Sequence, residues 1–408
     1  MSEEVKDRLA KAREAAVKKA AFGDDIDLTK YETRPPEAPA QIRTSEIPHD
    51  DRARVLATGV MLDDVSQRSG TFVQFDNRPL HTSVQQDGIE VMATSKALAK
   101  YDWLRDYMWK AVAVDADKYT AHVELNNADG YFIRALPGAK TLFPIQACLY
   151  LSRAHLIQDV HNIIIAEEGS ELHIITGCST SGKEPGLHLG ISEFYIKKGA
   201  KVTFSMIHSW SAETGVRPRT GAIIEQDGLF LSNYVLMRPV QSIQLYPSAK
   251  CVGENATVRF NNVMVATPGS KIDAGSKAFL NAKGAKTEMI ARAISTGGEI
   301  VSRGYIEANV ADVKGHLECR GLILGDEGFI HAIPELKGTK AGVDLSHEAA
   351  VGKIAEEEVE YLMARGLSRD EATATIIRGF LKVDIEGLPP MLNEELKKAV
   401  RASEQELF

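Results

Sequence analysis

The chain has 408 residues, 44% hydrophobic and 25% charged, enough for a large core and two or three structural regions. A net charge of −8 argues against binding nucleic acid through its backbone phosphates. No apolar run is long enough to span a bilayer, and the charged opening MSEEVKDRLAKAREAAVKKAAFG lacks a secretory core, so the expected location is the cytoplasm.

Val5, Leu9, Ala12, Ala16 and Ala20 recur at helical spacing and predict a helix over residues 3–22. The Pro-rich stretch RPPEAPA (34–40) marks an extended link. Beyond it, ARVLATGV and GTFVQF read as strands. ATSKALAKYDWLRDYMWKAV (93–112) reads as a helix whose two Trp and two Tyr are core residues. From about Gly130 the texture changes. A polar residue, a Gly, a small residue and a strand recur as EGSELHI, KGAKVTF, DGLFLSN, PGSKIDA and KGAKTEM, around Gly169, Gly199, Gly228, Gly269 and Gly284. That unit is the mark of a coiled or stacked sheet, either a β-helix or a sandwich. No long helical pattern interrupts residues 160–335, which disfavours a doubly wound fold. Helices return at AEEEVEYLMARG, with Gly366 just past its end. LSRDEATATIIRGFLK follows, with Ser368 and Glu371 as a capping box, and then LNEELKKAVRASEQ. Four segments result: 1–40 a helix and linker, 41–129 a mixed α/β region, 130–354 the β core, and 355–408 a helical tail suited to docking a protein.

The four cysteines, Cys148, Cys178, Cys251 and Cys319, form no C-x-x-C pair, so a zinc ribbon or a ferredoxin-type cluster within one chain is disfavoured. Cys319 lies in HLECRGLILG, where Leu317, Cys319 and Gly321 share one strand face. It is either a small buried residue or a thiolate ligand and sulfur carrier. Arg320 and His316 are near enough in sequence to lower its pKa. His347 and Glu348 follow in DLSHEAAVGKI, which can also be read as a helix start capped by Ser346 or Asp344. Thiol, imidazole and carboxylate together suit iron or an iron–sulfur cluster better than zinc or calcium. Cys148 and Cys178 read as buried residues, and His188 has no partner at ligand spacing. No G-x-x-x-x-G-K-[ST] phosphate loop occurs.

DLSHEAAVGKIAEEEVEYLMARGLSRDEATATIIRGF, HNIIIAEEGSELHIITGC and GHLECRGLILGD resemble the SufB/SufD family of iron–sulfur cluster assembly scaffolds. The likeness covers roughly residues 85–385. It implies a mainly β fold: a right-handed parallel β-helix flanked by amino- and carboxy-terminal helical regions. It also implies a scaffold, not an enzyme, that works with a SufC-type ABC ATPase docked on the carboxy-terminal helices. By the same resemblance Cys319 receives sulfur and binds the cluster, His347 and Glu348 form the His-Glu pair required for assembly, and His316 is a ligand across a subunit interface. The expected cargo is a transient [4Fe–4S] cluster. The sulfur donor, any flavin and the recipient proteins leave no signature in the sequence. The chain departs from the SufB pattern at Tyr246-Pro247-Ser248-Ala249, where the family has Cys in the last place. Cys251, two residues on, is the candidate sulfur relay. HAIPEL is SufD-like and Ser-His-Glu is SufB-like, so a single subunit that pairs with a second copy of itself is expected. Two alternatives remain: an adaptor of the ATPase without a cluster, and a β-helix carbohydrate-active enzyme. The latter needs clustered outer-face carboxylates or a strict hexapeptide repeat, and neither is present.

Overall fold

A computed structural model describes residues 3–381, apart from residues 35–36, 39, 42, 57, 62–67, 182–184 and 325–326. The helix expected over LNEELKKAVRASEQ lies outside the described residues. The described chain is mainly β, a parallel β-helix of about seven turns with helices at its termini. Two sheets of ten and eleven strands form its walls. Coils repeat every 28 to 30 residues, since Ala291 pairs with Cys319 and Cys319 with Ala349.

The glycine turns build this regularity. Gly169, Gly199, Gly269 and Gly284 take positive φ, a conformation that a Cβ penalises. At the third turn Asp227 takes it instead, at φ 55°, one place before Gly228. Between turns, alternate residues point inward. Phe194, Phe204 and Phe230 stack there at 4.8 and 4.9 Å from the first ring, and Phe260 extends the stack at 6.3 Å.

The amino-terminal region wraps the early coils. Its first helix spans Glu3–Ala15, short of residue 22, because Lys18 is drawn to Lys118 and to the carbonyl of Asp115. Ala12 and Ala15 pack with Trp109 and Tyr119 over Leu187, Leu189 and Ile191 on the outer wall. ARVLATGV is not a strand: His49–Leu56 is a helix. Asp50 and Asp51 favour its amino end, and Val55 is its buried residue, packed against Cys148. The long helix expected over 93–112 shortens to Thr94–Lys100 followed by a 3₁₀ turn, Asp102–Tyr107. The chain then reverses at Trp109, with φ 61°. The buried Glu193 carboxylate fixes this reversal by accepting backbone N–H bonds from Trp109, Ala111 and Val112 at 2.6, 2.8 and 3.2 Å. His161 Nε2 lies 2.9 Å from the same group. No helix among the described residues is long and apolar enough to cross a membrane.

Candidate functional site

The last four strands form the end of the solenoid. The Cys319 strand (Val313–Ile323) buries Val313, Gly315, Leu317, Cys319 and Gly321 inward, as the alternation predicts, and turns His316, Glu318 and Arg320 outward. The last strand (Val343–Gly352) lies beside it in parallel register: Leu317 meets His347, Glu318 meets Glu348, and Cys319 meets Ala349. DLSHEAAVGKI is therefore a strand and not a helix start. The ladder of the preceding coil templates it.

This register sorts the candidate residues by face. Cys319 and His347 belong to the inward series, one inward position apart on neighbouring rungs. His316 and Glu348 belong to the outward series. There, His316 Nδ1 lies 2.9 Å from Ser346 Oγ, and Arg320 Nη2 lies 3.4 Å from Glu348 Oε1. Glu318 sits between Arg292 and Arg320, 2.7 Å from each. One chain thus brings Cys319 and His347 together and sends His316 and Glu348 to the other side. Among the described residues no group of three His, Cys, Asp or Glu side chains could hold a metal ion.

Cys319 is 3% exposed. Burial raises its thiol pKa. The Ser302 hydroxyl, otherwise without a hydrogen-bond partner, opposes that rise, Glu318 adds to it, and Arg292 counters it slightly. The expectation of a lowered pKa from His316 and Arg320 fails, because burial is the largest influence and leaves the thiol raised. Cys251 is fully buried inside the strand Ser248–Cys251, between Ile224 and Leu280, and burial pushes its thiol up to about 12. All four cysteines are free and buried. His188 Nδ1 lies 2.8 Å from Gln158 Oε1, one coil away, and its ring lies 5.0 Å from Trp210; neither neighbour is a metal ligand of the expected kind.

Beyond Ile354 two helices, Glu356–Met363 and Arg369–Leu381, form a hairpin. Arg369 and Glu356 pair through two contacts of 2.5 and 2.7 Å. The capping box forms as predicted: Glu371 accepts from the Ser368 backbone at 2.8 Å, and Ser368 Oγ accepts from the Glu371 N–H at 3.3 Å. Ile377 packs with Val263, Val265, Ile294 and Leu322 on the outer wall. Tyr361 and Met363 stay exposed.

Among the described residues the solenoid end is open: its two final strands, Phe329–Gly338 and Val343–Gly352, each pair with a neighbour on one side only. Leu336 and Val351, which continue inward series, are 39% and 42% exposed.

Fold and site together define a β-solenoid core that carries a buried thiol near an open end and a helical hairpin on one wall. Residues 150–380 match the family described as SUF system FeS cluster assembly, SufBD core domain. The chain is 48% identical to an iron–sulfur cluster assembly SufBD family protein of Methanothermobacter thermautotrophicus, over 98% of this chain and 99% of that one. It is 49% identical to one of Archaeoglobus fulgidus, over 88% and 96%. It is 25% identical to one of Staphylococcus epidermidis, over 92% and 83%. The chain belongs to the SufBD family, whose proteins take part in iron–sulfur cluster assembly.

Proposed function

We propose that the chain is a scaffold on which a [4Fe–4S] cluster is built as cargo and then handed on. Cys319 and His347 are its own ligands, and two copies joined end to end complete the shell. One observation carries this reading: a thiol and an imidazole share the inward face at an open solenoid end. One thiol cannot hold a cluster, so ligands from a second copy suit it. A mixed Cys and His shell is also more labile than four thiolates, which favours transfer. Val343–Gly352 is the better edge for pairing the copies, because Pro334 deprives the neighbouring strand of one N–H. A SufC-type ATPase docks on the hairpin from Ala355 onward, where Tyr361 and Met363 offer apolar anchors. Cys251, buried and in a different inward column, acts as a sulfur relay only if its coil opens.

Anaerobic reconstitution with iron and sulfide, followed by metal analysis, tests the reading. Cys319→Ser should lose most bound iron, and His347→Ala should weaken retention about 10–100-fold. Cys148→Ser, beneath the His49–Leu56 helix, should change nothing. Unchanged iron content in Cys319→Ser would sink the assignment. Deleting the residues after Ile354 should abolish co-purification with the ATPase, and full binding by the truncated chain would refute the docking role.

A further inference from the structure

We infer that His316 and Glu348 serve the site from behind. They are positioning residues that stitch the last strand to the Cys319 strand and hold its register. The inference rests on the scaffold reading for its purpose, although the stitch itself is geometric. The three successive outward residues of the last strand, Asp344, Ser346 and Glu348, each meet an outward residue of the Cys319 strand. Lys314 Nζ lies 3.7 Å from Asp344, His316 Nδ1 lies 2.9 Å from Ser346 Oγ, and Arg320 lies 3.4 Å from Glu348. Arg320 is itself steadied by Glu318, which Arg292 holds from the coil before. These four charged groups form an alternating ladder across three coils.

The last strand needs such a stitch. Among the described residues it has a ladder on one side only, and its inward residues Val343 and Leu345 are only partly covered. A slip of one residue would turn His347 outward and Glu348 inward, because side chains alternate faces. A carboxylate on the face opposite the Cys319 thiol cannot share an ion with it inside one chain. It can keep the imidazole on the correct side.

Charge reversal separates positioning from ligation. Arg320→Glu, Glu348→Arg and the double reversal are made in the full chain. Amide exchange over residues 343–352 is measured without iron, and retained iron is measured after reconstitution. Each single reversal should speed exchange about two- to fivefold, the range for an exposed pair, and lower retained iron. The double reversal should bring both back toward the parent values. Ser346→Ala should reproduce His316→Ala in both readouts. The inference is overturned if Arg320→Glu is neutral and the double reversal retains no more iron than Glu348→Arg, since Glu348 is then a ligand. It is also overturned if neither single reversal changes exchange. If the parent chain retains no iron, the scaffold reading fails, while the exchange measurements still decide the stitch.

Discussion

The first and last coils of this solenoid share one geometry and differ in everything laid upon it. Around the early coils the outer wall is covered by the Glu3–Ala15 and His49–Leu56 helices, and the interior holds the Phe194, Phe204 and Phe230 stack. The buried Glu193 there is bonded to three backbone amides and to His161. At the last coil no residue of the two final strands is fully buried, and the links to the previous coil are backbone ladder bonds, outward polar pairs and the half-buried Ile330, Ala332, Val343 and Leu345. A repeat fold buries its apolar faces between neighbours, so its terminal coil stays incomplete without a cap or a partner. The incomplete end is where Cys319 and His347, the proposed ligands, sit.

That contrast can be broken by measuring both ends. Phe230→Ala, in the filled interior, should cost about 3–5 kcal/mol in denaturant unfolding. Leu336→Ala in the last coil should cost far less, and equal losses would erase the distinction. Glu193→Gln comes next. It weakens a charged acceptor of three backbone N–H groups and should cost about 2–3 kcal/mol, read as a lowered unfolding midpoint. At the open end the effect should fall on association. Val351→Asp should weaken self-association at least about tenfold in analytical ultracentrifugation while leaving the unfolding midpoint nearly in place. A dimer of unchanged strength would locate the interface elsewhere.

The smallest effect concerns pH and Cys251 in the filled region. Its folded pKa, about 12, lies above the ordinary value of 9.0. The folded chain therefore holds a proton that the unfolded chain gives up. Stability from this group is complete below the unfolded pKa and falls as pH rises through that window. By about pH 10 the loss should reach ~1.4 kcal/mol. Cys251→Ala should flatten this part of the stability–pH curve relative to the parent. An identical slope in both proteins would show that the thiol is already solvated.

Much of the architecture was legible in the sequence. The Gly-containing turns announced the coils, and the alternation in HLECRGLILG placed Leu317, Cys319 and Gly321 on one inward face. Ser368 and Glu371 announced the cap they form. Two local readings failed because tertiary context outweighed propensity. Val55 anchors a helix where ARVLATGV looked extended. Asp344, Ser346 and Glu348 suit a helix start equally well as an outward strand face. The site itself was half legible. The sequence offered the candidate residues, but the faces of His316 and Glu348 depend on the register with the previous coil. Contacts such as Gln158 with His188, His161 with Glu193 and Arg320 with Glu348 span 30, 32 and 28 residues. They follow once the coil length is known, and nothing local in the chain states it.

The repeat of 28 to 30 residues has a consequence for reach. Each coil advances the solenoid by one strand spacing, about 4.8 Å. Duplicating or losing a whole repeat would lengthen or shorten the molecule by one such step and keep the inward and outward faces in phase. Adding a single residue within a strand would exchange those faces from that point on. The fold is a ruler graduated in whole coils, and the separation between the wrapped end and the Cys319 thiol changes only by those graduations.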